Sequence, residues 1–229
     1  MGAFMSMSAE PCNKPSQDHA QNHERLMDKV YRRQRYLYDF TRKYYLLGRD
    51  RLIRDLALAP GERLVEIGCG TGRNLVAIAR AYPQAHLFGL DASAQMLKTA
   101  ALQVRRAGLS HRITLVQGLA EQLSPAIFGQ DAFEHALFSY SLSMIPDWRG
   151  ALAAARAALA PEGQLHVVDF GDLAGLPVPV RRMLEGWLKA FHVTPRVELL
   201  AEIERGVRQN GQFRVLPGRY AFAFSDRRM

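Results

Sequence analysis

Between residues 60 and 170 the hydrophobic positions switch repeatedly between two periods. Short, nearly continuous apolar runs alternate with segments in which apolar residues recur every three or four positions. The runs predict strands at 63–67, 86–90, 113–117, 133–139 and 164–169. The longer period predicts helices at 73–81, 93–107 and 148–160. Ser93 is the expected N-cap of the second helix, and Pro161-Glu162-Gly163 stops the third. This alternation specifies a parallel sheet covered by helices on both faces. Beyond Gly171 the pattern loosens into two amphipathic helices, at 180–191 and 197–209. Two strands follow, at 213–216 and 220–224, joined at Pro217-Gly218 as an antiparallel hairpin. The predicted fold is α/β: a doubly wound, mostly parallel, seven-stranded sheet with a C-terminal hairpin.

Upstream of this core the pattern differs. Residues 1–22 are polar and aperiodic, and predict a disordered tail. Residues 23–47 place Leu26, Val30, Leu37 and Tyr44 near helical spacing among many arginines and lysines. A second short helix is predicted at 49–58, before the turn at Pro60-Gly61. The chain thus divides into a tail (1–22), basic helices (23–59) and an α/β domain (60–229).

Composition narrows the setting. The chain has 229 residues, 48% of them hydrophobic, enough for one sizeable core. No apolar run is long enough to span a bilayer, and no secretory signal opens the chain. The two cysteines, Cys12 and Cys69, stand far apart and fit a reducing compartment. The formal charge of +8 points to an acidic partner, either nucleic acid or an anionic membrane surface.

The candidate chemistry gathers after the first predicted strand, in Glu66-Ile67-Gly68-Cys69-Gly70-Thr71-Gly72-Arg73. Glycines let a ligand approach the backbone, and the helix that follows offers unpaired N–H groups. The spacing is not the dinucleotide G-x-G-x-x-G, because Arg73 occupies the third glycine's place. Asp91 ends the next strand, where a carboxylate accepts both hydroxyls of a ribose. Glu66 is an acid inside an apolar strand.

Glu66-x-Gly68-x-Gly70-x-Gly72, Asp91 and Pro161-x-Gly163-Gln164-Leu165 resemble the seven-stranded, S-adenosylmethionine-dependent methyltransferases. The resemblance implies that Glu66, Gly68, Gly70 and Asp91 hold the cofactor, with Met96 against its adenine. Gly118, Leu119 and Ser139 are implied at the same site; that family often carries an acid where Leu119 stands, and Glu121 lies two residues on. A narrower resemblance covers 38–53, Ser139-Tyr140-Ser141-Leu142-Ser143-Met144-Ile145-Pro146, Val168-Asp169-Phe170-Gly171 and 191–196. These are similar to bacterial diacylglyceryl-homoserine N-methyltransferases of betaine-lipid synthesis. The similarity implies a lipid amine as acceptor, with Tyr45 and Arg49 near the cofactor's carboxylate. Phosphatidylethanolamine is the alternative lipid acceptor, and RNA the alternative of another class. Against RNA, no appended RNA-binding module is visible, and no Asn/Asp-Pro-Pro-aromatic motif follows the fourth strand.

Methyl transfer to an amine asks mainly for alignment and desolvation. Tyr140, Asp169 and His192 are the candidate bases, with water as the alternative. Tyr38, Tyr44, Tyr45, Tyr140 and Phe170 are candidate aromatic faces for a quaternary product. Arg196 is a candidate partner for a headgroup carboxylate. The basic N-terminal helix, and the 180–191 helix with Arg181, Arg182 and Lys189 beside Trp187, predict membrane contacts. The expected setting is peripheral, on the cytoplasmic face of the membrane.

Overall fold

The computed structural model describes residues 46–190, 193–206 and 212–227. The predicted tail and most of the basic helix lie outside these residues, as do Tyr38, Tyr44, Tyr45, Phe191 and His192.

Five parallel strands come first: β1 (Arg63–Ile67), β2 (His86–Asp91), β3 (Ile113–Gln117), β4 (Phe133–Ser139) and β5 (Leu159–Phe170). β6 (Gln212–Val215) and β7 (Ala221–Arg227) complete a seven-stranded sheet of order β3-β2-β1-β4-β5-β7-β6. β7 runs antiparallel to both β5 and β6. The helices are α1 (Arg49–Asp55), α2 (Arg73–Ala81), α3 (Ala94–Arg106), α4 (Trp148–Ala157), α5 (Val178–Ala190) and α6 (Val197–Gly206).

Side chains alternate across the sheet, so each strand feeds two cores. Leu64, Leu137 and Val168 join one core with residues of α1, α2 and α5. Val65, Ile67, Phe138 and Val167 join the other with residues of α4 and α6. Both faces are covered, which is why the strands read as nearly continuous apolar runs. Chain order reverses between β1 and β4, opening a crevice at their carboxyl ends.

Several predicted boundaries move: α1 ends at Asp55 rather than Leu58 and β7 runs on to Arg227, and one shift has a clear cause in the sheet. α4 ends at Ala157, three residues early, and β5 begins at Leu159, inside the segment read as helix end and turn. Leu159 pairs with Phe133, and the ladder resumes at Gln164 opposite His135. The extra residues bulge out around Glu162, whose φ is +66°. Pro161 and Gly163 therefore mark a bulge rather than the start of the strand. The cap at Ser93 holds: its Oγ accepts from Met96 N.

Candidate active site

The loop after β1 is shaped by what surrounds it. Gly68, Gly70 and Gly72 all have positive φ. The N–H groups of Gly68 and Cys69 both donate to Leu90 O, at 2.8 and 3.0 Å, folding the loop back over the end of β2. A Cβ on Gly68 would lie 2.5 Å from Ser141 Cβ, so the position has no room for a side chain. Ser141 Oγ donates to Ile67 O at 2.8 Å, fixing the segment after β4 against the glycine loop. Ser141 follows the fourth strand at the switch point, within the segment that carries the narrower resemblance, but the sequence alone predicts no role for its side chain.

Asp91 is held from both sides. Its Oδ2 accepts from Gly70 N at 2.7 Å and its Oδ1 from Ser93 N at 2.9 Å. The carboxylate is pre-oriented, and carboxylate oxygens have capacity for further acceptance. Behind the loop, buried Glu66 accepts from Asn74 Nδ2 at 2.6 Å, tying β1 to α2.

Gly68, Gly70, Asp91, Gly118, Leu119 and Tyr140 line one cleft, together with Ala92, Glu121, Ser141, Met144 and Ile145. Six residues predicted for the site thus converge. Glu66, Met96, Ser139 and Asp169 are buried behind it rather than on its wall. Met96, expected against the adenine, is buried in the first turn of α3. Leu119, Ile67 and Leu90 instead give the cleft an apolar lining, with the Glu121 carboxylate beside it.

Of the candidate bases, Tyr140 and Asp169 are described and His192 lies outside the described residues. Tyr140 has a φ of +56°, and its hydroxyl donates to Leu47 O. Burial holds its pKa well above the usual phenol value, so it stays a neutral donor at physiological pH. Its ring packs edge-on against Phe170 at 4.7 Å, making it part of the wall. Asp169 accepts from Ser143 N at 3.0 Å and from Phe170 N at 2.7 Å. Burial raises its pKa to about 6. Oδ2 holds the turn after β4, while Oδ1 caps the neighbouring backbone N–H of its own strand, and the side chain is not on the cleft wall.

Arg196, the candidate partner for a headgroup carboxylate, bonds backbone in this structure. Its Nε donates to Leu142 O at 3.2 Å and its Nη2 to Ile145 O at 2.7 Å. It clamps the cleft rim. Arg49 is different: it is buried, and its Nε has no hydrogen-bond partner. Its one ion pair among the described residues is with exposed Asp50, at 3.6 Å. Because Leu47 O is bonded to Tyr140, this guanidinium lies two residues along the chain from a contact with the cleft wall. Cys69 is buried, which raises its thiol pKa well above the usual value and makes it inert packing. Among the described residues no cluster of His, Cys, Asp or Glu is arranged to hold a metal ion. No described helix is long and apolar enough to cross a membrane.

Comparison with known proteins agrees with this geometry. Residues 64–163 match the model of a methyltransferase domain family. Over 167 residues the chain is 32% identical to a ubiquinone/menaquinone biosynthesis C-methyltransferase of Syntrophotalea carbinolica, covering 70% of this chain and 66% of that protein. It is 26% identical to a demethylmenaquinone methyltransferase of Listeria welshimeri, covering 66% and 58%. The chain thus spans less than two thirds of either relative's length. Among solved structures, a SAM-dependent methyltransferase from Aquifex aeolicus superposes with a TM-score of 0.60 at 14% identity, covering 82% of this chain and 93% of that one.

Proposed function

From the premise that this chain carries an S-adenosylmethionine-dependent methyltransferase domain, we propose that it methylates the amine of a membrane lipid, diacylglyceryl-homoserine, to the trimethylated betaine. S-adenosylmethionine supplies an electrophilic methyl group on a sulfonium. Asp91 is suited to hold its ribose hydroxyls, and Gly68 and Gly70 allow close backbone approach. The apolar lining at Leu119 suits a base face, and Arg49 is the buried cation suited to its carboxylate.

The observation that carries the choice of an amine is the state of Asp91 and of the two described candidate bases, Tyr140 and Asp169, which leaves Glu121 as the one cleft carboxylate that accepts no hydrogen bond among the described residues. Asp91 accepts from Gly70 and Ser93, Tyr140 donates to Leu47, and Asp169 accepts from Ser143 and Phe170. A site of this kind aligns and desolvates. The headgroup ammonium frees its lone pair by losing one proton to water, whereas a ring carbon needs a base placed against the quinol to activate it. The segments 139–146 and 168–171, which resemble the betaine-lipid enzymes, form or support the cleft wall. Before each of the three transfers the headgroup ammonium releases one proton to water. The reading sets the enzyme on the cytoplasmic face of the membrane.

A second reading follows from the relatives: transfer to a ring carbon of a demethylated quinol, favoured by the 32% identity to the Syntrophotalea protein. One experiment decides. Purified protein with methyl-labelled donor is offered diacylglyceryl-homoserine, phosphatidylethanolamine, a demethylmenaquinol and RNA, the lipids in detergent micelles. Label in the homoserine lipid is expected. Label confined to the quinol establishes the second reading, and label in RNA alone or in no lipid overturns both.

A further inference from the structure

We propose that the outward face of α5 seats the protein on an anionic bilayer, beside the acceptor side of the cleft. The inference rests on the reading of a lipid acceptor and names the surface that would reach it. Three of the seven exposed large hydrophobic side chains among the described residues fall within six positions of α5. They are Val178, Val180 and Met183, with exposures of 49%, 40% and 67%; Val178 and Met183 flank the outward side, and Val180 is exposed in the first turn on the side that carries Leu184 and Trp187 further along. A soluble helix normally turns such residues inward, and a cluster of them marks a contact surface.

Charge identifies the partner. Exposed Arg182 and Lys189 stand on the same outward half of the helix and make no ion pair among the described residues. Arg181 is turned partly inward and pairs with Glu185 at 3.6 Å. Apolar side chains flanked by long cationic ones match the boundary between lipid tails and anionic headgroups, where the charged ends reach back to the phosphates. A second copy of this chain, carrying the same cations, would bring like charges together. Trp187, predicted as part of the membrane face, turns inward with Leu184 and packs against the core that includes Leu188, Tyr140 and Phe170.

The inner side of α5 is therefore continuous with a residue of the cleft wall. The chain leaving the helix is continuous with it too. Thr194 N donates to Ser143 O at 3.0 Å, and Arg196 holds the carbonyls of Leu142 and Ile145. Met144 and Ile145 line the cleft. A bilayer under α5 would thus lie next to the rim past which a lipid headgroup must enter.

The test uses the full chain with phosphatidylglycerol vesicles and with phosphatidylcholine vesicles, in sedimentation. Wild type is expected to bind the anionic vesicles, and to lose that binding in high salt. Val180→Asp combined with Met183→Asp, and separately Arg182→Glu combined with Lys189→Glu, should weaken binding by about ten-fold or more, a loss of about 1.4 kcal/mol. Cofactor affinity by calorimetry, and methylation of lipid dispersed in detergent, should stay within two-fold and so report an intact fold. Variants that bind vesicles like wild type overturn the docking face while leaving lipid methylation standing. So does equal binding to neutral vesicles. A wild-type dimer that the aspartate pair dissociates, seen by sedimentation velocity, assigns the face to a second copy and overturns the inference. Absence of lipid methylation in detergent overturns the functional reading instead, whatever the vesicles show.

Discussion

Single residues in this site act mostly by position. Asp91 is fixed by two backbone N–H groups before any ligand arrives, so little ordering cost remains at binding. Asp91→Ala is expected to weaken cofactor binding by about 100-fold or more, since hydrogen bonds to a charged group contribute about 1.5–3 kcal/mol each. Calorimetry measures this, and unchanged affinity would remove Asp91 from the site. Gly68→Ala places a Cβ 2.5 Å from that of Ser141, at a φ of +72°. Overpacking and left-handed strain together predict a loss of about 2–4 kcal/mol in denaturant unfolding. Ser141→Gly in the same chain should recover part of it. The glycines and Asp91 are legible in the sequence because their signal is local: a spacing, and an acid at a strand end. Ser141, the Tyr140 hydroxyl and Asp169 are not, because their partners lie 74, 93 and 26 residues away. A candidate base looks the same in sequence whether its oxygens are engaged by backbone or face a substrate.

At the scale of elements, the strands and helices of the core follow the apolar period closely. Misplacement occurs where two local signals compete. Pro161 and Gly163 read as a turn, yet pairing of Leu159 with Phe133 extends β5 backwards through them, with a bulge absorbing the surplus. Pairing across the sheet outweighs local turn chemistry there. The segment between α5 and α6 shows the converse. Its described residues, 193–196, have no regular structure, but Arg196 binds two carbonyls of the turn after β4 and so sets the rim's shape. Arg196→Gln removes the forked donor. It is expected to raise the KM for the acceptor about 5- to 30-fold, the equivalent of about 1–2 kcal/mol, with the cofactor Kd nearly unchanged. Equal losses in both affinities would mean that the clamp merely supports the fold.

On the scale of the whole molecule, the sheet is knit together far from the cleft by a buried polar chain. Glu62 Oε2 meets His135 Nε2 at 3.0 Å, His135 Nδ1 meets His166 Nε2 at 3.0 Å, and His166 Nδ1 meets Ser225 Oγ at 2.8 Å. With Glu62 ionised, the set is satisfied when each histidine carries its proton on Nε2 and Ser225 donates to His166. Burial, and then the neighbouring His135, lower the His166 pKa to about 3. A histidine held neutral in the fold but titrating near 6.5 when unfolded adds stability that is complete above pH 6.5. That stability falls as pH drops through the window down to 3. From pH 7.5 to pH 5 its contribution should shrink by about 2 kcal/mol. Asp169, with its raised pKa of about 6, works the other way and regains about 1.4 kcal/mol over the same interval. The two nearly offset, so wild-type stability alone conceals both. Unfolding of wild type beside His166→Asn at the two pH values separates them: the gap between the proteins should narrow by about 2 kcal/mol on acidification.

The strand order gives that polar chain a further consequence. β7 lies between β5 and β6, so β6 reaches the rest of the sheet only through β7. The Ser225–His166 bond crosses the β5–β7 boundary itself. A proton on His166 turns Ser225 from donor to acceptor and leaves a buried charge at this boundary, which is expected to release both outer strands as one cooperative unit. Backbone amides of 212–215 and 221–227 should then exchange with deuterated solvent at a common, acid-accelerated rate. Those of β1 and β4, which carry the cleft, should remain protected until the molecule unfolds as a whole.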